Sequence, residues 1–249
     1  MAAAVTRGSM QHADGSFLTT RWSLVIAAAG DVTILARRAL DDLCRMYWYP
    51  LYCYVRRRGH APADAQDLVQ SFFVHLFDRD LFALAERSKG KLRGFLLSSL
   101  QFLLADERKR ATALKRGGDA EFVPLDMEDG EARFSKEPAA DADAERSLDR
   151  AWGMEVLRRA AQAIGEKWRA DGKGALFDEL GKYLLMPLEA AATQEIAARF
   201  GMGESNVKVS LHRLRERYRE AIRAEVAETV SSEAEIDAEI AALREAVSR

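Results

Sequence analysis

The chain has 249 residues, of which 48% are hydrophobic, so its length suits one large or two small domains with a buried core. Its 37 Lys and Arg residues against 39 Asp and Glu give a formal net charge of −2, which alone does not indicate a nucleic-acid-binding protein. Two cysteines predict neither a disulfide framework nor a zinc site. We find no apolar run of membrane-spanning length and no signal-peptide core in residues 1–16, so we expect a cytoplasmic protein.

The charge is segregated along the chain. Residues 87–116 carry nine basic and two acidic residues, a net of +7, and residues 193–223 carry seven basic and four acidic residues, a net of +3. Residues 117–149 carry eleven acidic and three basic residues, a net of −8, and residues 224–249 carry seven acidic and two basic residues, a net of −5. Two basic blocks, each followed by an acidic one, are an informative asymmetry in a chain whose net charge is close to zero.

Residues 1–19 have a polar composition that predicts disorder. Apolar residues at helical spacing predict helices from Thr20 onward. Pro50 is expected to kink or restart a helix. Five aromatic residues surround it: Tyr47, Trp48, Tyr49, Tyr52 and Tyr54. A domain core explains this cluster better than base stacking. The arginines at 56–58 suit a helix end, where cations satisfy the last carbonyl groups, so they do not require a role in DNA binding.

Two further helices are predicted after this cluster. In residues 61–80 the inward residues are expected to be Leu68, Phe72, Phe73, Leu76 and Phe77. The outer residues are expected to be Asp64, Asp67, Gln70, Ser71 and His75. Residues 93–118 predict a helix with an apolar body and a basic end. That pattern fits a buried core helix and a surface for single-stranded DNA equally well.

Residues 117–148 are acidic, interrupted by Gly and Pro and poor in periodic apolar residues, which predicts a linker with little fixed structure. Helical periodicity resumes near Leu148 and continues through Trp152 and Val156. A shorter helix is expected around Phe177 and Leu180. We find no strand pattern in the sequence, so the predicted fold class is all-α.

Residues 193–222, TQEIAARFGMGESNVKVSLHRLRERYREAI, predict a helix-turn-helix. Thr193 is expected to cap the first helix, Gly201 to take the turn, and the second helix to begin near Glu204 or Ser205. The apolar contacts are expected from Ile196, Ala197, Phe200, Met202, Val207, Leu211 and Leu214. The outer face would carry Ser205, Asn206, Lys208, Ser210, His212, Arg213 and Arg215. Short polar and basic side chains of this kind suit a major groove and its phosphates.

The C-terminal tail predicts an acidic helix with a narrow apolar stripe. Ser232 and Glu235 fit a capping box. The stripe consists of Ile236, Ile240, Leu243 and Val247. A stripe this narrow stabilises little alone, so we expect it to dock on its own domain, on another copy of the chain or on a partner.

Three stretches in this order resemble the sigma-70 family of bacterial RNA polymerase sigma factors, specifically the small extracytoplasmic function (ECF) type. They are DAQDLVQSFFVHLF at residues 64–77, RGFLLSSLQFLLADERKR at residues 93–110, and the helix-turn-helix. The likeness covers residues 20–222, and the extensions at both ends resemble an enlarged ECF subgroup. It implies two small helical domains, region two-like at 20–116 and region four-like at 149–223, joined by a flexible acidic linker at 117–148 and followed by the tail at 224–249.

The resemblance implies a transcription initiation factor that binds core RNA polymerase, and not an enzyme; no cofactor, metal or small-molecule substrate is expected. The first domain would dock on the clamp helices of the large subunits through Asp64, Asp67, Gln70 and Phe73. Residues matching the segment that captures and melts the minus-ten element are Phe95, Ser98, Ser99, Gln101, Phe102, Asp106, Arg108, Lys109 and Arg110. The outer face of the helix-turn-helix would read the minus-thirty-five element in double-stranded promoter DNA, and the second domain would contact the polymerase flap.

Departures from the family pattern affect recognition and regulation. Where the family often has Trp-Leu and later Asn in the melting helix, this chain has Phe95-Leu96 and Phe102, so the resemblance does not imply a base preference there. The resemblance implies that the linker threads near the polymerase active-site channel. Either an anti-sigma protein or the chain's own tail is expected as an inhibitor.

Two other classes compete with this interpretation. A dimeric helix-turn-helix regulator that binds operator DNA would use the tail stripe as its dimer seam, but it gives the basic helix at residues 93–116 no role. A helical nucleic-acid enzyme would need convergent carboxylates or a phosphate loop. Asp64 and Asp67 can share a helix face, but no second acidic motif and no Gly-Lys-Ser/Thr loop accompany them.

Overall fold

The structure is a computed structural model that describes residues 34–76, 92–111, 130–137, 143–230 and 232–248. Within these ranges the regular secondary structure is entirely helical, which confirms the predicted all-α class. The α-helices are α1 (Ile34–Arg57), α2 (Pro62–Leu76), α3 (Leu92–Ala111), α4 (Gly130–Phe134), α5 (Ala144–Ala170), α6 (Gly174–Leu180), α7 (Ala190–Phe200), α8 (Glu204–Ala227) and α9 (Ile236–Ser248). Short 3₁₀ turns occupy Gly181–Tyr183 and Glu233–Glu235.

Helix α5 lies at the centre of the fold, and α1, α8 and α9 pack against it. One hydrophobic core therefore contains side chains of both predicted domains. Tyr52 and Leu96 come from residues 20–116, and Trp152 and Leu214 come from residues 149–223. Of the predicted linker, residues 130–137 and 143–148 are described, and they contain α4 and the first residues of α5. The division into two domains joined by a flexible linker stays a prediction.

Helix α1 continues through Pro50 instead of restarting there. A proline inside a helix lacks the N–H group and crowds the carbonyl four residues earlier, so packing of the surrounding side chains must offset that loss. The aromatic cluster around it is buried, as expected of a core. Tyr47, Tyr49, Tyr52 and Tyr54 are each at most 3% exposed.

The tail helix α9 docks on its own chain. Ile236 and Leu243 are buried, and Ile240 and Val247 pack against the same core. At Gly153 of α5 the approach is so close that a Cβ atom would lie 2.7 Å from Cγ1 of Val247. Of the three docking surfaces left open by the sequence, the structure therefore selects the tail's own chain.

The capping box predicted at the start of the tail helix is not formed. Ser232 precedes the 3₁₀ turn and makes no side-chain capping hydrogen bond. In α2, Phe72, Phe73 and Leu76 are buried as predicted. The predicted disordered extension at 1–19, Phe77 and residues 112–118 lie outside the described residues. Among the helices that are described, none combines the length and apolar character needed to cross a membrane.

Candidate nucleic-acid interface

Helices α7 and α8 meet in a turn with the geometry of a helix-turn-helix. Gly201 ends α7 in the left-handed region at φ 61°, where a residue without Cβ is unstrained. Helix α8 begins at Glu204, within the predicted position. Val207, Leu211 and Leu214 are buried beneath it, as predicted, so α8 is fixed to the core along one face.

The beginning of α7 differs from the prediction. The helix starts at Ala190, with Glu189 at the N-cap position, so Thr193 lies in the first turn and does not cap it. Thr193 is buried, and its Oγ1 atom donates a hydrogen bond to the Glu189 carbonyl at 2.9 Å. A buried hydroxyl needs such a partner, and the backbone four residues earlier supplies it.

The solvent face of α8 presents most of the side chains predicted for DNA contact. Exposed residues from that set are Ser205, Asn206, Lys208, His212 and Arg213, and Ser210 is half-buried. The Nε2 atom of His212 lies 3.4 Å from Oε1 of Glu216, so an acidic group shares the face. Val209, which is not among the residues predicted for DNA contact, is 45% exposed on this face. Ser205, Val209 and His212 follow the i, i+4, i+7 spacing of one helix face, and a branched apolar group there suits a thymine methyl group.

Arg215 has a different environment from the one predicted. It is half-buried, and its guanidinium turns toward the connection between α6 and α7. Its Nη2 atom donates to the carbonyls of Tyr183 at 2.8 Å and Met186 at 2.6 Å, and its Nε atom donates to Tyr183 at 3.2 Å. These hydrogen bonds hold the segment that leads into α7, so Arg215 supports the motif from behind.

Helix α3 places one aromatic side chain in solvent. Phe102 is 75% exposed, whereas Phe95 packs against the hydrophobic core. Ser98 is exposed between them, and Ser99 is half-buried. Of the two phenylalanines predicted to capture unstacked bases, Phe102 has the accessible ring that stacking requires.

The remaining α3 residues predicted for minus-ten recognition are not all available. The Nε2 atom of Gln101 donates to the Tyr54 hydroxyl at 3.1 Å and to Oε1 of Glu145 at 3.3 Å. Asp106 is half-buried and has an interaction partner. The side chains of Arg108, Lys109 and Arg110 lie outside the described part of the structure.

An acidic groove lies between α2 and α3. It has a volume of about 420 Å³, and its lining consists of His60, Asp64, Asp67, Leu68, Ser71, Leu104 and Glu107. Asp64 and Asp67 are exposed, as expected of a docking surface. Three carboxylates around two leucines offer a basic partner both charge and apolar contact.

Two of the residues predicted for polymerase docking lie away from this solvent face. Phe73 is fully buried, at 0% exposure, so it belongs to the core and cannot contact a partner directly. Gln70 is half-buried and already has an interaction partner. Phe73 belongs to the inward face that the apolar pattern predicted, whereas Gln70, which was expected on the outer face, is partly covered.

Arg93 of α3 forms ion pairs with α5 and with the tail helix α9. Its Nε atom lies 3.0 Å from Oδ1 of Asp149 on α5, and its Nη2 atom lies 3.4 Å from Oε1 of Glu239 on α9. The guanidinium carbon lies 4.2 Å from the ring centroid of Trp152. Glu239 is only 1% exposed, so this ion pair is almost removed from water. The tail thus contacts the helix that carries Phe102.

A second buried contact fixes α8 to α5. The hydroxyl group of Tyr218 donates to the Leu157 carbonyl at 3.1 Å. Burial raises the pKa of Tyr218 to about 12, so the hydroxyl stays protonated and remains a donor at neutral pH. This hydrogen bond adds a polar contact to the packing of α8 against α5.

The exposed side chains of the described residues are of types that bind nucleic acid. Among the described residues, no group of three His, Cys, Asp or Glu side chains is arranged to hold a metal ion. Exposed polar, basic and aromatic side chains on α3 and α8 are groups that contact phosphates and bases. No protein-family model matches the sequence, and neither a curated protein nor a solved structure matches the chain.

Proposed function

We propose that this chain is a cytoplasmic transcription initiation factor of the sigma type, which binds core RNA polymerase and directs it to specific promoters. The observation that carries the proposal is the solvent face of α8, which follows the left-handed turn at Gly201. It combines a short polar residue, a branched apolar residue and basic residues on a helix fixed from behind. Such a face can enter a major groove and read base edges.

Recognition of the minus-ten element is assigned to α3. The supporting observation is Phe102, whose 75% exposure is unusual for a phenylalanine in a packed helix. An exposed ring beside Ser98 suits an unstacked base, with the basic end of the same helix near the backbone. In this proposal α3 acts on single-stranded DNA and α8 on the duplex.

Docking on the polymerase is assigned to the acidic groove between α2 and α3. Asp64 and Asp67 carry this role, and Leu68 and Leu104 supply the apolar floor. A basic helix with apolar residues on one side is the kind of surface that complements it. The groove borders α3, so the docking and melting surfaces would be neighbours.

The dimeric operator-binding regulator has less support. Its dimer seam was expected from the tail stripe, and that stripe packs against α5 and α8 of the same chain. A dimer would need another surface. The acidic groove and the exposed Phe102 would also have no role in it.

Binding of the full chain to purified core polymerase, followed by run-off transcription on a promoter library, tests the proposal. We expect a one-to-one complex and promoter-dependent transcripts. The double variant Asp64→Lys, Asp67→Lys should lose polymerase binding, whereas Asp171→Lys, at the exposed aspartate that directly follows α5, should retain it.

The promoter contact is tested with a second pair of variants. Lys208→Ala should weaken binding to promoter duplex about uniformly across sequences, as a lost phosphate contact does. Lys173→Ala removes an exposed cation away from α8 and should have no such effect. Absence of polymerase binding together with dimeric protection of a palindromic duplex would contradict the proposal and favour the operator-binding regulator.

A further inference from the structure

Helix α4 is held on α1 by a paired carboxylate. The Arg56 guanidinium donates from Nε to Oε2 of Glu131 at 2.9 Å and from Nη2 to Oε1 at 2.8 Å. The Tyr52 hydroxyl also donates to Oε2 of Glu131. A guanidinium fork on two oxygens of one anion is the geometry with which arginine binds phosphate as well as carboxylate.

An aromatic ring of α4 accompanies that carboxylate. The guanidinium carbons of Arg56 and Arg57 each lie 4.9 Å from the ring centroid of Phe134. Tyr52 meets the same ring edge-on, with centroids 6.3 Å apart, and stacks on Trp48 at 5.3 Å. Two cations and the Tyr52 ring, which is itself backed by Trp48, thus surround one planar apolar group, as cations and aromatic rings do when bases bind to stacking platforms.

Close packing and further polar contacts with α1 add to this attachment. At Gly130 an added Cβ atom would lie 2.5 Å from Cη2 of Trp48, so only glycine allows this approach. The Tyr49 hydroxyl donates to Oε1 of Glu137 at 3.0 Å. The guanidinium carbon of Arg133 lies 3.7 Å from the Tyr49 ring centroid.

The attachment of α4 is nevertheless mostly polar. The helix has five residues, far fewer than a helix needs for stability alone. Among its side chains none is buried, and only Gly130 is. Glu131 keeps 38% of its side-chain surface exposed although it is paired. Contacts of this composition weaken with salt and can be exchanged for those of another anion.

We propose that Trp48, Tyr52, Arg56 and Arg57, here called the α1 site, bind single-stranded nucleic acid, and that α4 occupies this site as an internal substitute for a nucleotide. The Glu131 carboxylate takes the place of a phosphate, and the Phe134 ring takes the place of a base. Single strands fit the site because their bases are unstacked and can meet the rings. This site is distinct from the α3 and α8 surfaces and does not depend on the proposed function.

Measurement of oligonucleotide affinity by the full-length protein tests the inference, with a fluorescent twelve-residue oligothymidine and an oligouridine of the same length in separate arms. Glu131→Gln keeps the shape of the side chain and removes its charge. We expect it to bind both oligonucleotides roughly tenfold more tightly than the wild type, because the competing charge-assisted pair is lost. Adding Arg56→Ala to this variant should abolish the gain. Asp171→Asn removes an exposed carboxylate elsewhere and should change nothing.

Hydrogen exchange identifies where the oligonucleotide acts. In the wild type, saturating oligonucleotide should increase exchange in residues 130–137 as α4 is displaced. If Glu131→Gln leaves α4 protected, a variant with residues 130–137 replaced by Gly and Ser at equal length, shown by circular dichroism to be folded, decides the matter. Wild-type affinity in that variant would overturn the inference. Equal gains in binding for heparin and the oligonucleotides would also overturn it, because the site would then read charge alone. Gains confined to DNA or to RNA would support it and name the sugar.

Discussion

At the scale of single residues, Arg213 and Arg215 lie two positions apart and face different surroundings. Arg215 donates to the Tyr183 and Met186 carbonyls, whereas Arg213 is exposed on the solvent face of α8. We expect Arg215→Ala to lower the free energy of unfolding by about 2 kcal/mol, as hydrogen bonds from charged groups are lost. Arg213→Ala should change it by less than about 0.5 kcal/mol and should weaken duplex binding instead. Urea denaturation of both variants measures the difference, and equal stabilities would contradict it.

The buried face of α8 could be predicted from the sequence, but the different environments of these two arginines could not. Alternation of polar and apolar positions located the buried face of α8, because a helix repeats every 3.6 residues wherever it lies. It could not distinguish Arg215 from Arg213, since the carbonyls that bind Arg215 come from residues about thirty positions away. The same alternation predicted the burial of Phe73 on α2, and that burial is incompatible with the contact to a partner that the resemblance implied for this residue.

At the scale of an element, the turn between α7 and α8 depends on one glycine. Gly201 has φ 61° with open space where a Cβ atom would lie, so Gly201→Ala isolates the backbone cost. We expect a loss of about 1 kcal/mol. Gly94 in α3 also has open space but lies in a helix, so Gly94→Ala should stabilise the protein by about 0.5 kcal/mol. Thermal denaturation that moved both variants in the same direction would refute this explanation.

Helix α4 should respond to acid. The hydrogen bonds from Arg56 hold the pKa of Glu131 below its ordinary 4.5. A carboxylate whose pKa is lowered by folding contributes stability that is complete above the ordinary pKa and is lost as the pH falls through the lowered one. We therefore expect α4 to leave α1 only below pH 4.5. The amide NMR signals of Ser135 and Lys136 follow this change, and Glu131→Gln should remove it. An unchanged midpoint in that variant would assign the transition to another group.

Helix α4 was not anticipated from the sequence, for an identifiable physical reason. Its segment is short and acidic, so its local composition favours an irregular linker. Its helical state is fixed by Arg56, Tyr52 and Trp48, which lie at least 75 positions earlier. The longer helices α2 and α8 carried their own periodic apolar faces, and their existence and type could be predicted.

At the scale of the whole molecule, the shared core conflicts with the separation that promoter binding would require. Promoter elements at minus ten and minus thirty-five lie about 25 base pairs, or roughly 85 Å, apart along straight DNA. A compact domain of this length has a radius of gyration of about 18 Å. The packing of α1 against α5 must therefore open if the proposed function is correct. Glu239 and Arg93 join the tail to α3 across that packing.

Deletion of residues 231–249 should favour the open arrangement. We expect a larger radius of gyration in X-ray scattering and tighter binding to core polymerase, because α9 no longer holds Arg93. Glu239→Gln should act in the same direction, since breaking a buried ion pair is costly. Asp237→Asn on the same helix is the matched control, because Asp237 is 82% exposed in its pair with Arg223. Unchanged promoter binding and activity after the deletion would exclude a regulatory role for the tail.

Helix α1 carries two buried cysteine thiols whose reactivity depends on its packing. Cys44 and Cys53 are buried, and burial raises the pKa of each thiol to about 12. Only the thiolate attacks disulfide reagents, so both groups should be nearly inert to Ellman's reagent while α1 stays packed. Nine residues of helix separate their Cα atoms by roughly 13 Å, too far for a disulfide between them. Any loss of packing that exposes either thiol would then leave a covalent mark, and the rate of thiol modification would record how often α1 becomes accessible.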